Sequence, residues 1–122
     1  MKVWSDRTIL KALNNPSNKI VERTAFTQEV TFIGVKDQPD FANLTITITP
    51  NEKIIELKSL KLYLFQFRNK LLSYERLVDV LYEDIQNVYK PLTLRVSLEF
   101  KPRGGISSKV EIDSLKQLKE IK

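Results

Sequence analysis

The stretch from Glu56 to Asn69, Glu-Leu-Lys-Ser-Leu-Lys-Leu-Tyr-Leu-Phe-Gln-Phe-Arg-Asn, sets the cations Lys58, Lys61 and Arg68 among leucines and aromatic residues. Apolar residues run almost all round from Leu60 to Phe67, the pattern of a segment buried on most sides. Cations at the head of such a segment are either solvated at its end or held there for an anion, and the residues alone leave both readings open. What the chain lacks bounds its chemistry more sharply. There is no cysteine and no histidine, which removes disulfides, thiolate nucleophiles, imidazole bases and nearly all zinc chemistry. Catalysis would have to rest on Asp, Glu, Lys, Tyr, Ser or a borrowed cofactor, and no metal site is expected.

The elements that would position these residues follow from patterning. Residues 1–27 are mixed and read as an arm or flap, with a helical turn or two over Thr8–Leu13 broken by Asn14, Asn15 and Pro16. Alternation begins at Gln28 and runs to Val35, Val30 and Phe32 on one face and Thr31 and Ile33 on the other. Lys36 to Asp40 reads as a connection fixed by Pro39. Phe41–Thr49 is a strand with Leu44, Ile46 and Ile48 facing one way. Ile54–Leu57 reads as extended. Ser59 is the expected N-cap of a helix reaching about Asn69, and Ser73 that of a second helix carrying Leu77, Leu81, Ile85 and Val88 at one-turn steps up to Pro91. Leu92, Leu94, Val96, Leu98 and Phe100 then alternate with polar residues, Pro102-Arg103-Gly104-Gly105 turns, and Ile106–Ile112 makes a fourth strand. Asp113–Lys122 reads as a short charged helix.

Strand, strand, helix, helix, strand, strand predicts an α+β layer, a four-stranded antiparallel sheet with both helices on one face. The chain of 122 residues is expected to be one domain: an arm over 1–27, a core over 28–112 and a tail over 113–122. Long regular edge strands without protection suggest closure against copies of itself, hence a homo-oligomer. No apolar run approaches the ~18 residues that cross a membrane, and the N-terminus has no secretory-type apolar core, so a cytoplasmic protein is expected. The net charge of +5 permits nucleic-acid binding, but the basic residues are spread along the chain, and phosphate-bearing small molecules suit them equally well.

Gln-Pro-Asp-Phe-Ala at 38–42, Glu-Leu-Lys-Ser-Leu-Lys-Leu-Tyr-Leu-Phe at 56–65, Phe-Arg-Asn at 67–69, Glu75, and Pro-Arg-Gly-Gly-Ile-Ser at 102–107 together resemble the QueF family. That family comprises NADPH-dependent nitrile reductases that convert 7-cyano-7-deazaguanine to its aminomethyl product in queuosine biosynthesis. The resemblance implies the tunnelling fold, a ββααββ unit whose subunits join into barrels with sites between them. It assigns Ile55, Glu56 and Leu57, with Tyr74 and Glu75, to a purine-like ligand. A carboxylate suits a ring N–H beside an exocyclic amine because its two oxygens accept both, although an acid in a first helical turn is also an ordinary feature. Leu57, Lys58 and Lys61 match the NADPH motif, and Arg103 with Gly104 a second contact. Cations and a glycine turn suit phosphates, and Arg103-Gly104-Gly105 equally suits a plain hairpin. Asp40 matches the general acid, a role that needs a raised carboxyl pKa; beside Pro39 it also suits a turn cap.

Two departures accompany the resemblance. The family's nucleophilic cysteine, seven residues before the aspartate, is Ile33 here, and the histidine before the anchoring glutamate is Tyr74. An isoleucine forms no thioimide, and a tyrosine of pKa ~10 is a poor neutral-pH proton shuttle. Three functions follow. The first is a protein of 7-deazaguanine metabolism that binds the base or a related purine or pterin without thioimide-based reduction. The second is a working reductase whose thiol is supplied otherwise or mutated away. The third is a structural or tRNA-binding module on the same scaffold.

Overall fold

The computed structural model describes residues 3–35 and 38–118. Four antiparallel strands form the main sheet in the order β2-β3-β5-β6: β2 Arg23–Val35, β3 Gln38–Thr49, β5 Thr93–Arg103 and β6 Ile106–Asp113. Alternation gives the sheet one apolar face. Leu44 lies opposite Leu98, Ile46 opposite Val96 and Ile48 opposite Leu94, and all six are buried. Helix α1 (Leu57–Phe65) and helix α2 (Tyr74–Tyr89) cover that face: Leu60, Tyr63 and Leu64 of α1 and Leu77, Leu81 and Ile85 of α2 join the strand residues in one apolar cluster. The α+β layer and both helices are therefore as expected. No described helix is long and apolar enough to cross a membrane.

Several boundaries differ, each for a physical reason. β2 begins at Arg23, so the end of the supposed arm is strand. A register shift between Thr27 and Val30 interrupts the alternation that would have shown it. Two further parts of the described arm are tied down as well. A 3-10 turn over Arg7–Ile9, capped by Asp6, replaces the expected longer helix, and β1 (Ala12–Asn14) pairs antiparallel with β4 (Lys53–Ile55). Gln38, Pro39 and Asp40 open β3 rather than forming a connection; proline is tolerated at the start of a strand. Lys36 and Asp37, from the same expected connection, lie outside the described residues. The N-cap of α1 is Glu56, whose side chain accepts the Ser59 N–H, not Ser59 itself. The helix ends at Phe65 and tightens into a 3-10 turn over Gln66–Asn69. Nor is α1 buried all round: Leu57, Leu62 and Phe65 are half exposed. Leu92 is exposed and precedes β5. The β5–β6 turn is the two-residue Gly104-Gly105, both at positive φ (59° and 81°), which glycine adopts without strain. The tail is a 3-10 turn over Ser114–Leu118, and the remainder of the expected helix, 119–122, lies outside the described residues.

A buried carboxylate clasps the arm. Asp84 of α2, 2% exposed, accepts from the Ser5 hydroxyl, the Tyr63 hydroxyl and Arg7 Nε, the last at 2.8 Å. Burial, reinforced by this carboxylate, holds the Tyr63 phenol above the ordinary tyrosine range; burial also raises Tyr89, to about 12. Both phenols are thus neutral in the fold where an unfolded tyrosine would ionise. Their stabilisation is fully present below pH ~10 and is lost above it, at roughly 1.4 kcal/mol per pH unit for each. Denaturant unfolding should show stability unaffected by these groups up to about pH 10 and falling towards pH 12. A flat profile across that range would contradict the burial of both phenols.

Candidate functional site

At the N-terminal end of α2, Ser73 Oγ accepts the Arg76 N–H at 3.1 Å and fixes the helix start. That start sets Tyr74 against β3. The Tyr74 hydroxyl donates to Asp40 Oδ2 at 2.8 Å, and Asp40 Oδ1 accepts the Phe41 N–H at 2.9 Å. Asp40 is 4% exposed. The Tyr74 ring stacks on Phe100 at 3.7 Å between centroids, and Phe32 meets both rings edge-on. Gly34 completes the enclosure: a Cβ there would stand 3.0 Å from Asp40 Oδ2. The carboxylate thus lies in an aromatic enclosure with one oxygen engaged by Tyr74. Position 33 does not share it. Asp40 pairs with Phe32, whereas Ile33 pairs with Pro39, so strand alternation turns the Ile33 side chain to the other face. The Ile33 backbone is bonded to the α1–α2 connection, donating to Lys70 O at 2.9 Å and accepting from Leu72 N at 3.0 Å.

The other residues of interest gather at the N-terminal end of α1. Glu56 Oε1 accepts the Ser59 N–H at 2.8 Å. Ile55 is 3% exposed and belongs to the core, so it can offer a ligand only its backbone. Leu57, Lys58 and Lys61 are exposed. Leu57 and Lys61 line a groove of about 670 Å³ between α1 and β2, with Phe65, Arg68, Arg23 and Phe26 around it. The Arg68 guanidinium lies 4.9 Å over the Phe65 ring. Thr27 Oγ1, in the same groove, is buried without a hydrogen-bond partner.

These two groups are not brought together within one chain. Glu75, exposed in the first turn of α2, lines a different groove of about 600 Å³ against β6, beside Asp79 and Glu111. Glu56 lies by Tyr89, at the far end of the same helix. At 1.5 Å per residue the two ends of α2 are about 20 Å apart. The two grooves also flank opposite edges of the sheet, β2 and β6. Arg23, Lys61 and Arg68 outnumber Glu29 in the first, and acidic residues outnumber the single Arg76 in the second. Gly104 stands at the tip of the β5–β6 hairpin; the backbone of Arg103 ends β5, and its side chain lies outside the described residues. Among the described residues no group of three or more His, Cys, Asp or Glu could hold a metal ion. The supports of Glu56 at Lys11 and Tyr89 carry no local sequence signal, because they meet it only in the fold, and Ser59, marked locally as a cap, holds it from inside the helix instead.

The layered architecture has a solved counterpart. A crystal structure of the archaeosine synthase QueF-Like in the apo form superposes with a TM-score of 0.68 over 80% of this chain and 94% of that one, at 14% identity, a likeness of fold alone. The chain belongs to the QueF-like protein family, whose model matches residues 39–119. It is similar to the NADPH-dependent 7-cyano-7-deazaguanine reductase of Prochlorococcus marinus (strain MIT 9515), 39% identical over 106 residues covering 83% of this chain and 76% of the relative. The reductases of Exiguobacterium sibiricum and Sulfurimonas denitrificans match at 39% and 36% identity, and each match spans 62% of the relative's own length.

The Tyr74–Asp40 contact is open to a direct check. Tyr74→Phe keeps the stack on Phe100 and removes only the donor to a buried carboxylate, so it should lower unfolding stability by about 1–3 kcal/mol. In an Asp40→Ala background the same change should cost far less, because the acceptor has gone. Equal costs in the two backgrounds, measured by chemical denaturation, would show that the hydrogen bond carries no stability.

Proposed function

We propose that this protein binds 7-cyano-7-deazaguanine, or a related purine or pterin, in clefts completed between copies of a single tunnelling-fold domain closed into a barrel, and that it does not reduce a nitrile through a thioimide. The observation that carries this reading is the exposed Glu75 carboxylate in the capped first turn of α2. Its two oxygens can accept a ring N–H and an exocyclic amine together. The names of the relatives support the choice of base. The cleft between copies is supported by the separation of Glu75 from Ile55, Glu56 and Leu57, and by grooves of complementary charge over opposite sheet edges. Side-by-side continuation of the sheet from β6 of one copy to β2 of the next would face one groove with the other.

NADPH is the cofactor the relatives' names suggest. The residues present fit an anionic dinucleotide: Lys58 and Lys61 are exposed at the head of α1, and Gly104 at φ 59° lets the backbone approach a phosphate. Lys58 and Lys61, with Leu57 against the nucleotide and Arg103 and Gly104 as a second contact, would hold it. When bound, NADPH supplies a hydride. The chain's own groups do not complete a nitrile reduction. Ile33 has no nucleophile to add to the nitrile carbon, and a bare nitrile is a poor hydride acceptor. Asp40, the candidate proton donor, has one carboxylate oxygen held by Tyr74. The alternative of a working reductase, with its thiol supplied by another chain, is favoured by the relatives' names alone.

Two measurements on the intact protein separate these readings. 7-Cyano-7-deazaguanine, tested with guanine and a pterin, should raise the melting temperature, because binding at one hundred times the dissociation constant adds about 2.7 kcal/mol. Glu75→Ala should abolish the shift. Mixed with NADPH and the nitrile, the protein should consume no cofactor. Cofactor consumption would establish the reductase reading, and no shift with any base would remove the binding one.

A further inference from the structure

The peptide of Lys11 is a junction between the arm and both helices. Its N–H donates to Ser59 Oγ at 2.9 Å. Its carbonyl accepts the Tyr89 hydroxyl at 2.7 Å and the Glu56 N–H at 3.3 Å. Ser59 Oγ in turn donates to the Glu56 carbonyl at 2.8 Å, while the Ser59 N–H holds Glu56 Oε1 at the same distance. One residue further, Ala12 pairs with Ile55. The backbone of Glu56 is therefore held at its N–H, at its carbonyl and through the preceding strand, and its side chain is held at one oxygen. Tyr89 and Ser59 are 1% and 3% exposed, so neither can touch a ligand directly through an open face. Both reach Glu56 only through these part-buried hydrogen bonds.

We infer that Tyr89 is a positioning residue for the ligand-facing segment Ile55–Leu57: from the far end of α2 it fixes the Lys11 carbonyl, and this with Ser59 sets Glu56 so that Oε2 is the oxygen presented to a hydrogen-bond donor on a heterocycle. The inference rests on the reading of Glu56 as a ligand contact. Oε1 is taken by the helix cap, so Oε2 is what the side chain has left to offer a ring N–H or exocyclic amine. The same helix that carries Glu75 at its first turn thus aligns a second carboxylate at its last. The two acceptors are then held by a rigid element and not by loops, as pre-organised recognition requires.

The test compares Tyr89→Phe with Tyr63→Phe. Each removes one buried tyrosine hydroxyl, but the Tyr63 hydroxyl serves Asp84 and the arm, away from Glu56. Both variants should lose stability. Only Tyr89→Phe should speed amide hydrogen exchange of Glu56 and Ser59, by about tenfold relative to the wild type, and weaken 7-cyano-7-deazaguanine by about fivefold to tenfold well below the melting temperature. Ser59→Ala should act as Tyr89→Phe does, and Ser59→Thr, which keeps a hydroxyl, should restore the affinity. Unchanged exchange and affinity in Tyr89→Phe, or equal losses in Tyr63→Phe, would overturn the positioning role. A wild-type protein that binds none of the bases would overturn the reading on which it rests, and differs plainly from a wild type and a Tyr89→Phe variant that bind alike.

Discussion

Helix α2 is a spacer of fixed length, and the rest of the site follows from it. Its first turn carries Tyr74 against Asp40 and turns Glu75 to the β6 side; its last residue, Tyr89, reaches the Lys11 peptide and through it Glu56. A helix cannot shorten, so about 20 Å separates its two ends within one chain. Leu77, Leu81 and Ile85 anchor the helix in the core at 0% exposure, which denies it any other placement. A ligand the size of a single fused ring cannot span that distance. The two ends serve one molecule only if a second copy brings its own complementary end alongside.

The start of the same helix also sets what surrounds Asp40. Strand register places Phe32 opposite Asp40, and Tyr74, which donates to the carboxylate, packs against Phe32 and Phe100. The Tyr74 hydroxyl reaches Asp40 Oδ2 while its ring stacks on Phe100. This satisfies a buried carboxylate and leaves the exposed Glu75 untouched. The Tyr74–Asp40 contact and the exposure of Glu75 are therefore independent features of one helix start.

Much of the frame was legible in the chain. The alternation in β3 and β5 and the one-turn spacing of Leu77, Leu81 and Ile85 gave the sheet, α2 and their facing sides, because burial imposes a period that composition cannot hide. The Ser73 cap was legible for the same reason that it is favoured, a short hydroxyl side chain just before a periodic run. The start of β2 was not, since the shift between Thr27 and Val30 breaks the period and Phe26 points outward at 74% exposure. Glu56 was passed over as a cap because serine is the commoner one, yet Ser59 is used from inside the helix to hold the cap residue's carbonyl. Of the site, the residue types at Asp40, Glu56, Tyr74 and Glu75 could be named. Their division between two ends of α2, the 2.8 Å contact across 34 residues from Tyr74 to Asp40 and the Lys11 junction are products of tertiary packing that no local pattern encodes.

Subunit complementation bears most directly on the claim that the site is completed between copies. Glu56→Gln, which keeps an oxygen for the helix cap, and Glu75→Ala should each abolish binding of 7-cyano-7-deazaguanine. Unfolded together in equal amounts and refolded, the two variants should regain binding at about one cleft in four, because random assembly pairs an intact Glu56 with an intact Glu75 from a neighbour at that frequency. Recovery of no binding at all, from a mixture shown to assemble, would contradict a shared cleft and place the ligand within a single chain.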